Sequence, residues 1–212
     1  MPTFHCSAIL FDLDGVLIDS TASIARRWKK WAEMQGLDPL RVVEVMHGRR
    51  TVEVIQLVAP HLDIAAEVQR LEQSITDDAD PAIPGAVALL QSLPADSWCV
   101  VTSGTRDLAI ARMKVAGLPL PKVLVGADDV TKGKPDPEPY LKGAELLGFS
   151  PAECIVIEDA TAGVRAAHSG KMDVIALATT YEADELKEAD AVIKELGQIR
   201  VIQSQGKLRV EV

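Results

Sequence analysis

Asp12 and Asp14 stand two residues apart at the end of an apolar run, in ILFDLDGVL. Carboxylates that close repel one another unless a positive charge lies between them. Three later segments carry chemistry that answers this pair. VVTSGT holds Thr102, Ser103 and Gly104, VTKGKPDP holds Lys132 and Lys134, and CIVIED holds Glu158 and Asp159. Carboxylate oxygens suit Mg2+, which keeps its other positions for water and phosphate. Hydroxyls and a lysine suit the oxygens of a phosphoryl group. Together the residues read as a magnesium–phosphoryl centre. Taken singly, each segment has a plainer reading. DG is a common turn, TSGT a helix N-cap, Glu158-Asp159 an acidic helix start and Lys134 a solvated lysine. Their shared position, just after apolar runs, favours the functional reading.

The elements that must position these residues follow from hydrophobic patterning. Short, nearly continuous apolar runs at 8–11, 98–101, 123–125, 155–157 and 174–177 predict strands covered on both faces, with 191–193 as an edge strand. Amphipathic stretches at 85–93, 106–117, 137–148 and 160–170 lie between them, several bounded by Gly or Pro. This alternation predicts a doubly wound, Rossmann-like α/β core whose strand ends converge on one edge, where such sheets bind ligands. Residues 17–83 break the pattern and read as helices over 20–35, 39–46, 51–59 and 64–77, with Ser20 as N-cap of the first. The expected organisation is a catalytic core of residues 1–16 and 84–212, with a small all-helical cap, 17–83, inserted after the first strand. Within the cap, His47, Arg49 and Arg50 of MHGRRT are candidates to face substrate, and Trp28 and Trp31 read as its apolar interior.

Composition narrows the setting. The chain has 212 residues, 48% hydrophobic and 25% charged, with a net charge of −9. That charge argues against a broad nucleic-acid or anionic-membrane surface, and no apolar run approaches the ~18 residues that span a bilayer. Cys6, Cys99 and Cys154 are far apart in apolar surroundings, against a disulfide framework or a zinc site. A cytoplasmic monomer is expected.

In order along the chain, FDLDGVL, VVTSGT, KGKPDPEPY and VIEDATAG resemble the four motifs of the haloacid dehalogenase-like superfamily of phosphatases. The helical insert resembles that superfamily's small helical cap, and the match covers nearly the whole chain. HGRRT, IPGA, TSGTRDLA and GKPDPEPYLKGAELLGF are similar to the glycerol-phosphate, 2-deoxyglucose-6-phosphate and bacterial sugar phosphatases within it. The resemblance implies Asp12 as nucleophile, and Asp14 as general acid and then base. It implies Asp159 as a magnesium ligand, joined by the Asp12 carboxylate and the backbone carbonyl of Asp14, with Glu158 in or just behind the metal shell. Thr102 or Ser103, with Gly104, would bind the phosphoryl group, and Lys134 would neutralise it. The implied activity is Mg2+-dependent hydrolysis of a small phosphorylated metabolite, a sugar or polyol phosphate, through an aspartyl-phosphate. A hexose-phosphate mutase of the same superfamily is the alternative, and a phospho-accepting receiver domain a distant one. HSGKMDVIAL carries one residue more than the family's spacing, which bears on that loop's conformation.

Overall fold

The computed structural model describes residues 2–73, 79–204 and 206–212. β1 (Thr3–Cys6) and β2 (Ala8–Phe11) are separated by a bend at Ser7 and enter different sheets. After β2 the chain leaves the core for four helices, α1 (Thr21–Met34), α2 (Pro39–Met46), α3 (Thr51–Val58) and α4 (Ile64–Gln73). They enclose an apolar cluster of their own, built on Trp28, Trp31, Val42, Val54 and Ile55. The two indoles meet edge to face at 5.3 Å, as their i, i+3 spacing suggested. Trp31 Nε1 also donates to the buried Glu67 at 2.7 Å. The fourth helix was expected to reach residue 77; positions 74–77 lie outside the described residues. The outgoing and returning connections run side by side: Asp19 N–H donates to Pro81 O and Ile83 N–H to Leu17 O, both at 2.9 Å.

The returning chain builds the core from α5 (Ala86–Ser92), β3 (Trp98–Val101), α6 (Arg106–Val115), β4 (Leu124–Val125), α7 (Glu138–Leu147), β5 (Cys154–Glu158), α8 (Thr161–Ser169), β6 (Asp173–Leu177) and β7 (Ala191–Ile193). The two-residue period of an extended chain decides the layers. Ile9, Phe11, Val100, Ile155, Ile157, Ile175 and Leu177 turn to one face, against α5 and α6. Ala8, Leu10, Cys99, Val101, Val156 and Val174 turn to the other, against α7 and α8. The six strands are parallel, in the order β4-β3-β2-β5-β6-β7. The chain therefore winds one way from β2 and the opposite way from β5. A crevice opens at such a reversal, outside the carboxyl ends of the strands.

A second sheet lies outside the patterning described above. β8 (Arg200–Ser204) and β9 (Lys207–Glu211) form an antiparallel hairpin whose inner strand pairs with β1. Leu208 and Val210 join the apolar layer beneath α5 and α6. These strands are short, with β1 and β9 alternating polar and apolar residues and β8 offering two apolar residues in a row, so continuous apolar runs do not reveal them. In the loop after α8, Lys171 adopts a left-handed φ of 61°. Among the described residues no helix is long and apolar enough to cross a membrane.

Gly143 lets α7 approach the sheet. A Cβ there would stand 3.0 Å from Val101 Cγ2, 3.2 Å from Cys99 Sγ and 3.3 Å from Leu10 Cδ2. Gly143→Leu is expected to lower stability by about 1–3 kcal/mol through overpacking, read as a reduced urea midpoint with an unchanged slope.

Candidate active site

The strand ends deliver the predicted residues to one place. Asp12 follows β2, its N–H bonded to Ile157 O at 3.0 Å, and Thr102 follows β3, its N–H bonded to Val125 O at 2.9 Å. Lys134 enters from the loop before α7 and is 1% exposed. Its ammonium donates to Asp12 Oδ1 at 2.8 Å, Glu158 Oε1 at 2.7 Å and Val101 O at 3.3 Å. All three ammonium donors are thereby used. Glu158 is equally committed: Oε1 also accepts from Tyr140 Oη at 2.9 Å, and Oε2 accepts the backbone N–H groups of Asp159 and Ala160, each at 2.8 Å. Glu158 thus braces the lysine and the β5–α8 turn.

Charge at the site is unbalanced. Asp12, Glu158 and Asp159 are buried, each with an oxygen within 4.8 Å of the others, and Lys134 is the buried ammonium among them. Burial pushes the Asp12 carboxyl up to about 7 although Lys134 pulls the other way. Asp159 is raised well above the ordinary carboxylate range by burial and then by Glu158 and Asp12. Lys134 is raised: burial opposes its charge, but Asp12 and Glu158 outweigh it. Hard oxygen donors with surplus negative charge fit a small divalent cation. Because every acceptor direction of Glu158 is taken, Asp12 and Asp159 are the carboxylates left to hold one.

Asp14 is bound differently. Arg112 of α6 pairs with its Oδ1 at 2.6 Å, and the same oxygen accepts from Ser20 Oγ at 2.6 Å. Ser20 occupies the N-cap position of α1 but makes no side-chain cap bond; its hydroxyl serves Asp14 instead, correcting the expected capping role. Arg112 Nη2 also lies 3.5 Å from Asp80, on the returning connection, and Asp80 accepts from Ser23. Thr180 donates to Asp159 Oδ2, and Thr179 to Gly15 O at 2.5 Å. Gly15 has a φ of 74°, and a Cβ on it would sit 2.0 Å from Asp159 Oδ2, so the DG step is needed for close approach as well as for its turn. Sequence patterning assigned Arg112 and Thr180 no role at the site, and Ser20 only that of an N-cap. A single arginine on an amphipathic stretch, or a lone hydroxyl in a turn, does not by its type and spacing point to a partner.

The MHGRRT segment lies over this edge, with its three candidates in two places. His47 and Arg49 line a cavity of about 110 Å3 together with Asp12, Asp14, Trp28, Arg112 and others. The His47 ring meets Tyr181 edge-on at 5.6 Å, and burial lowers its pKa. Arg50 is not among the lining residues; its guanidinium turns to Glu53 and to backbone carbonyls of residues 127–131. Ser103 and Gly104 line the cavity, but Ser103 Oγ donates to Gly48 O at 2.9 Å. Thr102 Oγ1 accepts the Gly104 N–H at 3.2 Å and so keeps its own proton to give.

Gly163 on α8 tests the Glu158 brace. A Cβ there would lie 1.7 Å from Glu158 Oε1, and Glu158 is fully buried. Gly163→Ala is expected to displace that carboxylate from Lys134 and lower unfolding free energy by about 1–3 kcal/mol, measured by urea denaturation.

Comparison with known proteins agrees with this geometry. Residues 6–171 match the family model described as haloacid dehalogenase-like hydrolase. Hexitol phosphatase A of Escherichia coli (strain K12) is 42% identical over 204 residues, covering 93% of this chain and 94% of that protein. Glycerol-1-phosphate phosphohydrolase 2 of Saccharomyces cerevisiae is 38% identical over 211 residues, covering 92% and 84%. Among solved structures, a hydrolase from Pseudomonas syringae superposes with a TM-score of 0.75 at 30% identity, covering 89% of this chain and 93% of that one. A doubly wound sheet with its acidic residues and lysine gathered at the strand ends, and a family match over most of the length, lead to one conclusion: this chain belongs to the haloacid dehalogenase-like hydrolases.

Proposed function

We propose that the chain is a magnesium-dependent phosphatase of small sugar or polyol phosphates, working through an aspartyl-phosphate on Asp12. The observation that carries the reading is the Asp12 carboxylate, paired with a buried lysine and lining the same cavity as a second aspartate two residues on. The hexitol and glycerol phosphatases similar to this chain support the substrate class. The cavity supports it too, being small for a ligand site and lined by polar groups including His47, Arg49 and Glu72.

Asp12 attacks phosphorus, and the bond to the leaving oxygen breaks as Asp14 gives that oxygen its proton. Asp14 then takes a proton from water, which attacks the same phosphorus and returns Asp12 with inorganic phosphate. Both bonds from Arg112 and Ser20 fall on Asp14 Oδ1, so neither occupies Oδ2. Lys134 and the Thr102 hydroxyl offset the phosphoryl charge while Asp12 approaches, and the Gly104 N–H, bonded to Thr102 Oγ1, holds that hydroxyl in place. The carboxylates of Asp12 and Asp159, with the backbone carbonyl of Asp14, would hold Mg2+. When bound, the ion supplies the positive charge that a loose, anionic transition state requires. Residues 17–83 serve as the cap that selects the leaving group, over a core of residues 1–16 and 84–212.

A phosphate-release screen over hexitol, hexose and glycerol phosphates and 2-deoxyglucose 6-phosphate, with p-nitrophenyl phosphate as generic substrate, tests the reading. Turnover is expected with Mg2+ and its loss with EDTA. Asp12→Asn and Asp14→Asn are each expected to lower kcat by about 10³-fold or more while the circular dichroism spectrum stays native. Undiminished hydrolysis by Asp12→Asn would sink the mechanism. Conversion of a hexose phosphate to its isomer without phosphate release would favour a mutase.

A further inference from the structure

Arg50, the N-cap of α3, and Glu53 in its first turn reach across to the loop that ends in Lys134. Arg50 Nη1 donates to Val130 O at 2.9 Å and Ala127 O at 3.4 Å, and Nη2 to Thr131 O at 2.6 Å. Arg50 Nε and Nη2 also donate to Glu53 Oε1, at 3.0 and 2.7 Å. That same oxygen accepts the backbone N–H of Gly133 at 2.7 Å. The core holds the outer part of this loop by itself: Glu138 accepts the N–H groups of Thr131 and Lys132, and Lys142 donates to Asp129 O. The N–H of Gly133, the residue that precedes Lys134, is bonded instead to Glu53 of the helical segment.

Gly133 is shaped to this contact. It is buried and has no positive φ, so its backbone would accept any L residue. A Cβ on it would nevertheless stand 2.5 Å from Glu53 Oε2 and 2.9 Å from Arg50 Cγ. The glycine leaves room for the pair.

We propose that Arg50 and Glu53 are positioning residues for the reaction. They grip the backbone of residues 127–133 and so set Lys134 against Asp12 when the helical segment is docked. The inference rests on the phosphatase reading of Asp12 and Lys134. It gives Arg50 a role in the chemical step rather than in substrate contact, and it brings in Glu53.

The test is steady-state kinetics of the full chain with Mg2+ on p-nitrophenyl phosphate and on a hexitol phosphate. Arg50→Ala, Glu53→Ala and Gly133→Ala are each expected to lower kcat about tenfold or more, with KM within about threefold, as misplacement of a catalytic group does. Because the pair acts as one unit, Arg50→Ala with Glu53→Ala is no worse than the worse single change. Gly133→Ala costs nothing further in the background that carries both Arg50→Ala and Glu53→Ala, where the side chains that the added methyl would meet are gone. Glu53→Gln restores part of kcat, since its carbonyl oxygen still accepts from Gly133. Arg50→Lys does not, since one ammonium cannot span the carbonyls of 127–131 and Glu53 together. Wild-type kcat in Arg50→Ala and Glu53→Ala, or an equal cost of Gly133→Ala with and without the Arg50–Glu53 pair, overturns the proposal. A wild-type protein that releases no phosphate overturns the phosphatase reading and this proposal with it.

Discussion

Lys134 carries a full charge with almost no access to water, pinned between the carboxylates of Asp12 and Glu158. Removing an ion from water costs several kcal/mol even after relaxation, and a buried pair offsets this only when its remaining donors and acceptors are satisfied. Here they are. The ammonium has three partners, and the four bonds to Glu158 use both of its oxygens. Asp12 is the carboxylate with room to do something else, because it also lines the cavity. Glu158 keeps the lysine charged and in place, while the lysine holds the Asp12 carboxylate at the edge of the cavity. The surplus of buried negative charge makes the same spot suitable for a divalent cation.

Much of the surrounding structure serves that arrangement. Glycine stands where a methyl group would enter it: at Gly15 against Asp159, at Gly163 against Glu158 and at Gly133 against Arg50 and Glu53. The strand-order reversal between β2 and β5 places Asp12 and Glu158 beside one another on adjacent parallel strands. Tyr140 and Lys134 come from a single stretch of chain, the loop before α7 and its first turn, so docking that helix on the sheet delivers both. The helical segment adds a second layer of control. Its Gly48 carbonyl accepts from Ser103, its Thr21 meets Thr180, and Arg112 reaches both Asp14 and the returning connection at Asp80.

The sequence made the main sheet legible because a strand buried on both faces is a run of apolar residues with polar chemistry at its end. Asp12, Thr102 and Glu158 stand out for that reason, and the structure brings them together with Lys134. The small β1-β9-β8 sheet was not legible, since one polar face gives alternation too short to separate from loop. The partners that tune the site were also hidden. Arg112 lies on a helix whose apolar spacing says nothing of an ion pair to Asp14, and Ser20 has the residue type and position of an N-cap. Arg50 resembled a substrate arginine because the segment was expected over the cavity. It lies over it, but a side chain's direction depends on carbonyls some 80 residues away.

The central claim is that Lys134 and its braces hold Asp12 ready to accept a phosphoryl group. Mass spectrometry of Asp14→Asn after brief incubation with Mg2+ and p-nitrophenyl phosphate, whose leaving group departs without an acid, tests this most directly, because loss of the base should leave the intermediate unhydrolysed. The account predicts a phosphoryl adduct on the peptide containing Asp12, with none in the same protein carrying Lys134→Met. An adduct on another residue, or one on Asp12 that forms as readily without Lys134, would contradict it.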